Sequence, residues 1–470
     1  MNQYKKLGKN VALMTVGNFA SRILGLLFIP FYTSVLTTAE YGVSDMVVTT
    51  VSLLFPVFTA MICEAMMRFA LDKGADHEKI YVSGMAIWAL GFVAMLICSP
   101  LINLVPALSG YALYVVLYYF AYSLYFNLSY FARGIEKITA YTLGGIVQTV
   151  LTVSLNLVFL LGFKAGIRGY LLAYILSDFL SALFLIFATK LYKCKFKAFD
   201  RGLIKDMLRF SLPMIPNQLS WWVSKSSGKY ILIFFHGVAV NGVFAVAHKI
   251  PTILHAIMSI FSSAWRISAV DGLHSDDTKG FYTTVYNNYC SILTMVTSGL
   301  ILFNKFIASL LYAKDFYEAH VFVPLLLLAV MFNGLGDHLG SIYISFKKTK
   351  PIFITTLISA IVNVALGFAL IPSLGGVGAA AASLVGYICI WLIRLIDSRK
   401  MIRLDYRYLR DGITFALLFA QVIVEMLNFS FGWIVSGALC LAVLLVQREA
   451  VVMVWKILIG MFKKKTPANS

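Results

Sequence analysis

Long apolar runs recur from one end of the chain to the other, and no other feature restricts its fold so severely. A helix that crosses a hydrocarbon core of roughly 30 Å needs about 20 such residues. In lipid every backbone donor and acceptor must find its partner inside the segment, which leaves helices or a closed barrel. Runs of helical length lie at 10–33, 42–68, 81–103, 111–132, 139–163, 168–189, 209–235, 241–266, 283–312, 317–346, 351–371, 377–397, 411–428 and 432–447. Short connections join them, and none is long enough to form an independent soluble domain. The composition agrees: 60% of the 470 residues are hydrophobic and 13% charged, against about 45–50% and about 25% in soluble domains. The expected class is an all-α polytopic membrane protein with about 14 spans.

A net charge of +18 would suggest nucleic acid in a soluble chain. Here the basic residues alternate by loop instead. One set of loops contains "YKK", "LDKGADHEK", "RGIEK", "KLYKCKFKAFDRGLIK", "FKKTK" and "RKMIRLDYRYLR", and the tail adds "KKK". The other set, "LTTAEYG", "LVPALSGY", "FHGVAVNG", "LIPSLGGVG" and "NFSFG", has no lysine or arginine, and only Lys164, Arg168 and Lys314 break the pattern. The positive-inside rule makes the first set cytoplasmic, so both termini are expected inside and the partners are membrane lipids rather than nucleic acid. The N-terminal apolar segment is too long for a signal peptide and no small-residue cleavage site follows, so it reads as a retained helix. Six cysteines occur without a CxxC pair or ligand spacing, and neither disulfides nor a metal site is expected.

The chain divides by composition into an N-terminal six-helix lobe over 1–190, a cytoplasmic amphipathic basic linker over 191–208, and a C-terminal six-helix lobe over 209–400. Two further helices follow over 401–450, then a basic cytoplasmic tail over 451–470. The linker is expected to lie on the membrane surface. A shift of 200 residues lays "EYGVSDMV" (40–47) over "VNGVFAVA" (240–247), matching Gly42 with Gly242. A shift of about 209 lays "AGIRGYLLA" (165–173) over "GGVGAAAAS" (375–383), matching Gly169 with Gly378. Six helices per half makes the copies parallel, related by an axis along the membrane normal, as in one transporter design.

The segments "NFASRILGLLFIPFYTSVLTTAEYG" (18–42), "AMICEAMMRFAL" (60–71), "FARGIEKITAYT" (131–142), "LRFSLPMIPNQLSWWV" (208–223), "NGVFAVAHKIP" (241–251) and "IPSLGGVGAAAAS" (371–383) together resemble the polysaccharide (Wzx-type) flippases of the multidrug/oligosaccharidyl-lipid/polysaccharide (MOP) exporter superfamily. The resemblance covers roughly residues 5–400. It implies two pseudo-symmetric lobes around a central cavity that opens to one side at a time. It also implies a non-enzymatic carrier in the bacterial cytoplasmic membrane, with no catalytic residues and no cofactor. The implied cargo is an undecaprenyl-diphosphate-linked oligosaccharide, moved to the outer leaflet for capsule, exopolysaccharide or O-antigen. Polysaccharide polymerase and chain-length machinery are the implied partners. Ser21-Arg22-x-x-Gly25 also resembles the first helix of the lipid II flippase branch, where the arginine serves substrate binding.

A charge at the bilayer centre costs about 2.5–3.5 kcal/mol on insertion scales, so each membrane-depth charge needs a wet cavity or a partner. The cations are Arg22, Lys225, Lys229, Lys249 and Lys305, and the acids are Glu64, Asp178, Asp337 and Glu425. Arg22 lies about 13 residues from the inner end, roughly 20 Å deep. Arg22, Lys225, Lys249 and Lys229 are candidates for the substrate's diphosphate, and Trp222 for stacking on sugar. The structural alternatives are a protein acid or helix-end carbonyls for Arg22, surface snorkelling for Lys229, and core packing for Trp222. Glu64 and Arg68, four apart, read as an intrahelical ion pair or a gate. Asp178, Asp337 and His338 read as proton or sodium coupling groups, or as buried hydrogen-bonding groups. A multidrug or cation antiporter of the same superfamily is the alternative carrier, but lysines in its cavity would repel its cargo. An enzyme would need a paired-carboxylate or Ser/His/Asp arrangement, and none stands out.

Overall fold

The computed structural model describes residues 23–194, 200–272, 277–346, 348, 350–427, 429–452 and 456. Arg22 and the start of the first predicted span lie outside the described residues. The described chain is helical without a strand. In one compact unit, which runs to Val246 and includes Leu311–Phe316, the helices are α1 (Ile29–Val35), α2 (Thr38–Phe58), α3 (Ile62–Ala70), α4 (His77–Cys98), α5 (Ala112–Gly134), α6 (Ile138–Leu157), α7 (Gly166–Thr189), α8 (Arg201–Ser211), α9 (Ile215–His236) and most of α10 (Val238–Ala247). The second unit, Ala247–Leu310 and Tyr317 onward, holds α11 (Pro251–Gly272), α12 (Thr278–Leu302), most of α13 (Asn304–Leu311), α14 (Val323–Ser345), α15 (Lys350–Asp397), α16 (Tyr408–Leu427) and α17 (Gly432–Val446).

Among the described residues seven helices are long and apolar enough to cross a membrane, or nine if each of two bent pairs is one span. The bent pairs are α10 with α11, at 46°, and α12 with α13, at 63°. Three predicted runs differ in form from the helices they became. The run 42–68 is broken between α2 and α3, where Ala60 and Met61 both take positive φ, 51° and 52°. Across that break α4 comes so close that a Cβ on Gly91 would lie 1.7 Å from the Phe58 carbonyl oxygen. The runs 351–371 and 377–397 form the two arms of α15, separated at Gly375 with φ 54° and ψ −129°, a backbone conformation open to glycine.

Helix starts follow local chemistry. Thr37 and Glu40 cap α2 reciprocally, with the Glu40 N–H donating to Thr37 Oγ1 and the Thr37 N–H donating to Glu40 Oε2, the arrangement that satisfies two orphan donors at once. Asp76 and Asp200 accept from first-turn N–H groups of α4 and α8. In α8, within the linker region, Met207 is buried and Leu203, Ile204 and Leu208 pack on the core formed by Ile62, Met66, Trp88 and Leu128. Its apolar face is therefore taken by protein, with Arg201, Lys205 and Arg209 on the exposed side.

In the second unit α14 is buried nearly all round, as a helix apolar on every face must be when others enclose it. The C-terminal pair α16 and α17 is tied to α12 by two buried glutamines. Gln421 accepts from Ser298 Oγ and donates to Ser436 Oγ, and Gln447 accepts from Ser291 Oγ and donates to Thr414 Oγ1. Such side chains act as glue between helices where water is absent.

The proposed repeat has a physical counterpart. A Cβ on Gly42 would lie 2.1 Å from the Val238 carbonyl oxygen, and one on Gly242 would lie 1.9 Å from that of Thr38. Thr38 and Val238 are themselves 200 apart, so the contact is reciprocal in the way a local two-fold requires. Gly169 and Gly378 likewise occupy matching roles in separate units. Each lets the end of the preceding helix approach, with an added Cβ 2.9 Å from Phe159 Cβ in one unit and 2.5 Å from the Leu370 oxygen in the other.

Candidate substrate site

α9 bears three of the predicted site residues, and α2 holds it in place. Trp222 Nε1 donates to the Thr49 carbonyl at 3.0 Å and to Ser52 Oγ at 3.1 Å. One face further along, Tyr230 and Thr50 share a hydroxyl–hydroxyl bond of 2.7 Å. Lys229 Nζ lies 2.8 Å from Asp45 Oδ1, both largely buried, and Asn241 Nδ2 donates to Asp45 Oδ2 and to the Gly42 carbonyl at 3.3 Å. Lys229 is thus neutralised inside the protein rather than snorkelling or standing open for an anion. Asp45 is the fourth residue of the predicted second span, 42–68, where an acid passes for an interfacial residue.

Lys225 differs from Lys229 although one turn separates them. Its side chain is exposed, its Nζ lies 5.4 Å over the Trp221 ring, and it makes no ion pair among the described residues. Lys249, in the second unit at the bend between α10 and α11, is half-buried and likewise has no acidic partner among the described residues. A half-buried ammonium without a counter-charge is costly unless an anion or water reaches it.

The predicted Glu64–Arg68 pair does not form. Arg68 is exposed and pairs with Asp72, the next acid at the same four-residue spacing, at 2.5 Å. The cation that acts on half-buried Glu64 is Arg133 of α5. The correction has a simple cause: Arg68 has a carboxylate on both sides along the helix, and only Asp72 lies out in water with it, where pairing carries no burial cost for either group.

Asp178 is buried and accepts from Gln148 Nε2 at 3.0 Å, with Thr152 Oγ1 donating to Ser177 Oγ beside it. Asp337 is half exposed and lies 3.6 Å from Arg394 Nη1. His338 is buried, its Nδ1 without a hydrogen-bond partner among the described residues, and it is ringed by Trp265 at 4.8 Å, Tyr289 at 5.1 Å, Phe261 at 5.7 Å and Tyr286 at 5.9 Å. Lys305 approaches buried Glu425 at 3.9 Å.

Arg394 was not among the residues singled out by sequence. It is 1% exposed, donating from Nε to Thr355 Oγ1, from Nη1 to the Gly336 carbonyl and from Nη2 to Thr356 Oγ1 at 3.0, 2.9 and 3.2 Å. In "WLIRLIDSRK" it reads as the first of the cytoplasmic basic residues. The only sequence signal to the contrary is its position one turn before Asp397, still on the apolar stripe.

The family described as "Polysaccharide biosynthesis protein" matches residues 7–265. Curated protein sequences give no match. Among solved structures the chain is similar to lipid II flippase MurJ in an inward closed conformation, with a TM-score of 0.72 and 14% identity over 95% of this chain and 100% of that one. It is also similar to a MATE transporter in complex with MaL6, with a TM-score of 0.61 and 16% identity over 83% and 94%. A MOP superfamily transporter from Pyrococcus furiosus gives a TM-score of 0.58 and 15% identity over 84% and 96%. These likenesses show that the chain shares the fold of those proteins. The chain belongs to the polysaccharide biosynthesis protein family, on that fold.

Proposed function

We propose that the protein is a flippase that carries undecaprenyl-diphosphate-linked oligosaccharides from the inner to the outer leaflet of the bacterial cytoplasmic membrane, by alternating access, for a cell-surface polysaccharide. The observation that carries the reading is the pairing pattern of the membrane-depth cations. Lys229 and Lys305 have acids of their own, whereas Lys225 and Lys249 have none among the described residues. With Arg22 they are the cations assigned to the diphosphate, arginine by its bidentate fork and lysine by point charge. The polyprenyl tail stays in lipid, and the product passes to a polymerase and its chain-length partner. Asp178, Asp337, His338 and Glu64 are the groups assigned to ion coupling or gating.

Binding tests the phosphate assignment. Lys225→Ala/Lys249→Ala is expected to weaken binding of undecaprenyl diphosphate by about 100-fold, since a charge-assisted contact contributes about 1.5–3 kcal/mol. Native mass spectrometry against the same lipid monophosphate provides the comparison. Undiminished binding by the double variant would remove these lysines from the site.

A further inference from the structure

We infer that one strip of α5 is a carbohydrate-stacking track, a reading that rests on the flippase function and names where the sugar chain is held. Between Ala121 and Gly134 the partly exposed residues of α5 are Tyr122, Tyr125, Phe126, Tyr130 and Arg133, and every other residue there is buried. Spacings of three and four put the five on one helix face. Three of the rings form a series, with centroids 5.5 Å apart from Tyr122 to Phe126 and 4.9 Å from Phe126 to Tyr130, and Phe55 of α2 meets the first two edge-on at 5.5 and 4.8 Å. The Arg133 guanidinium closes it, 5.2 Å over Tyr130 and 5.3 Å over Tyr141.

This face does not suit lipid. The lipid-like openings of the same helix are aliphatic, Leu113 at 66% exposure and Leu117 at 39%. The strip instead presents three phenols and a permanent cation. No protein hydrogen bond is made by the hydroxyls of Tyr122, Tyr125 and Tyr130 or by the Arg133 guanidinium among the described residues. Polar groups left without partners are not sustained in hydrocarbon, so the strip faces water or a polar ligand. Glu64 is within electrostatic reach of both Arg133 and Tyr130 and adds an acceptor at that end. Behind the strip Asp178, anchored by Gln148, is within reach of Tyr122 and Tyr125.

Pyranose rings fit that combination. Their C–H faces pack on aromatic rings, and their hydroxyls exchange hydrogen bonds with phenols, a carboxylate and guanidinium N–H groups. A planar organic cation could stack there too, but Arg133 repels it. An acyl chain would leave every polar group of the strip unmatched.

The test measures binding by the full-length protein in nanodiscs, with undecaprenyl diphosphate bearing a trisaccharide and bare undecaprenyl diphosphate as probes. Tyr122→Leu/Tyr130→Leu is expected to lose about tenfold in affinity for the sugar-bearing lipid, as hot-spot aromatics do, while affinity for the bare lipid is unchanged. Tyr122→Phe/Tyr130→Phe, which keeps the rings, is expected to retain most of the affinity and guards against a folding effect. Equal losses for both lipids, or no loss for the sugar-bearing one, would overturn the track. Wild type that binds both lipids equally would also overturn the track and leave the flippase reading standing. Wild type that binds neither would overturn both.

Discussion

Replacing Arg394 by methionine is expected to destabilise the second unit by about 1–3 kcal/mol, the cost of leaving buried polar groups without their hydrogen-bond partner. The substitution fills comparable volume, so the loss is not a cavity effect. It comes from what the guanidinium leaves behind. The Thr355 and Thr356 hydroxyls and the Gly336 carbonyl lose the donor that reaches all three, and Asp337 loses its cation. Arg394→Lys is expected to recover only part of the stability, because an ammonium cannot reproduce a planar fork that donates in three directions. Gly340→Ala attacks the same site from the other side, since its Cβ would stand 2.7 Å from Nη1 of Arg394. Thermal unfolding of purified variants in detergent reads all three. A melting temperature for Arg394→Met within a degree or so of wild type would show that the network contributes nothing net, as some buried ion pairs do.

Gly42→Val and Gly242→Val are expected to be comparably severe, and severe for backbone rather than side-chain reasons. At 2.1 and 1.9 Å from carbonyl oxygens, a Cβ at either position cannot be accommodated by a rotamer change, so the two helix starts must separate. Overpacking of this kind costs about 1–3 kcal/mol and occasionally more. Here separation also pulls Asn241 from the Gly42 carbonyl and from Asp45, which holds Lys229. Gly299→Ala is the control. Nothing lies within 4 Å of its added Cβ, and alanine in a helix is favoured over glycine by about 0.5–1 kcal/mol, so that variant is expected to match or exceed wild type. Equal melting temperatures for all three would mean that the close approach is not a feature of the stable protein.

The helical class and much of the repeat were legible because they rest on properties each residue shows alone: hydropathy, and glycine where backbones meet. The 200-residue shift that pairs Gly42 with Gly242 found a contact in which each glycine does the same work for the other. What remained hidden was pairing. Lys229 and Asp45 lie 184 residues apart, and nothing in either neighbourhood announces the other. Glu64 and Arg68 show the converse, where a favourable spacing was present twice and the exposed choice won. Arg394 was missed because a cation near a helix end looks the same whether it meets water or three buried oxygens. The α5 strip was overlooked for a different reason. Tyrosines among apolar residues in "LYYFAYSLYFNLSYFARG" read as ordinary membrane aromatics until burial separates the inward set from the open one.

Leaflet exchange in proteoliposomes tests transport of a lipid-linked sugar directly. Vesicles holding purified protein and a labelled undecaprenyl-diphosphate oligosaccharide are followed for the rate at which label becomes accessible on the opposite leaflet, for wild type and for folded Arg22→Ala. Wild type is expected to exchange label well above the rate of protein-free vesicles, and the variant to lose that rate. Wild type that moves none of several such lipids, yet expels a cationic dye against a proton gradient, would contradict it and assign the chain to drug export.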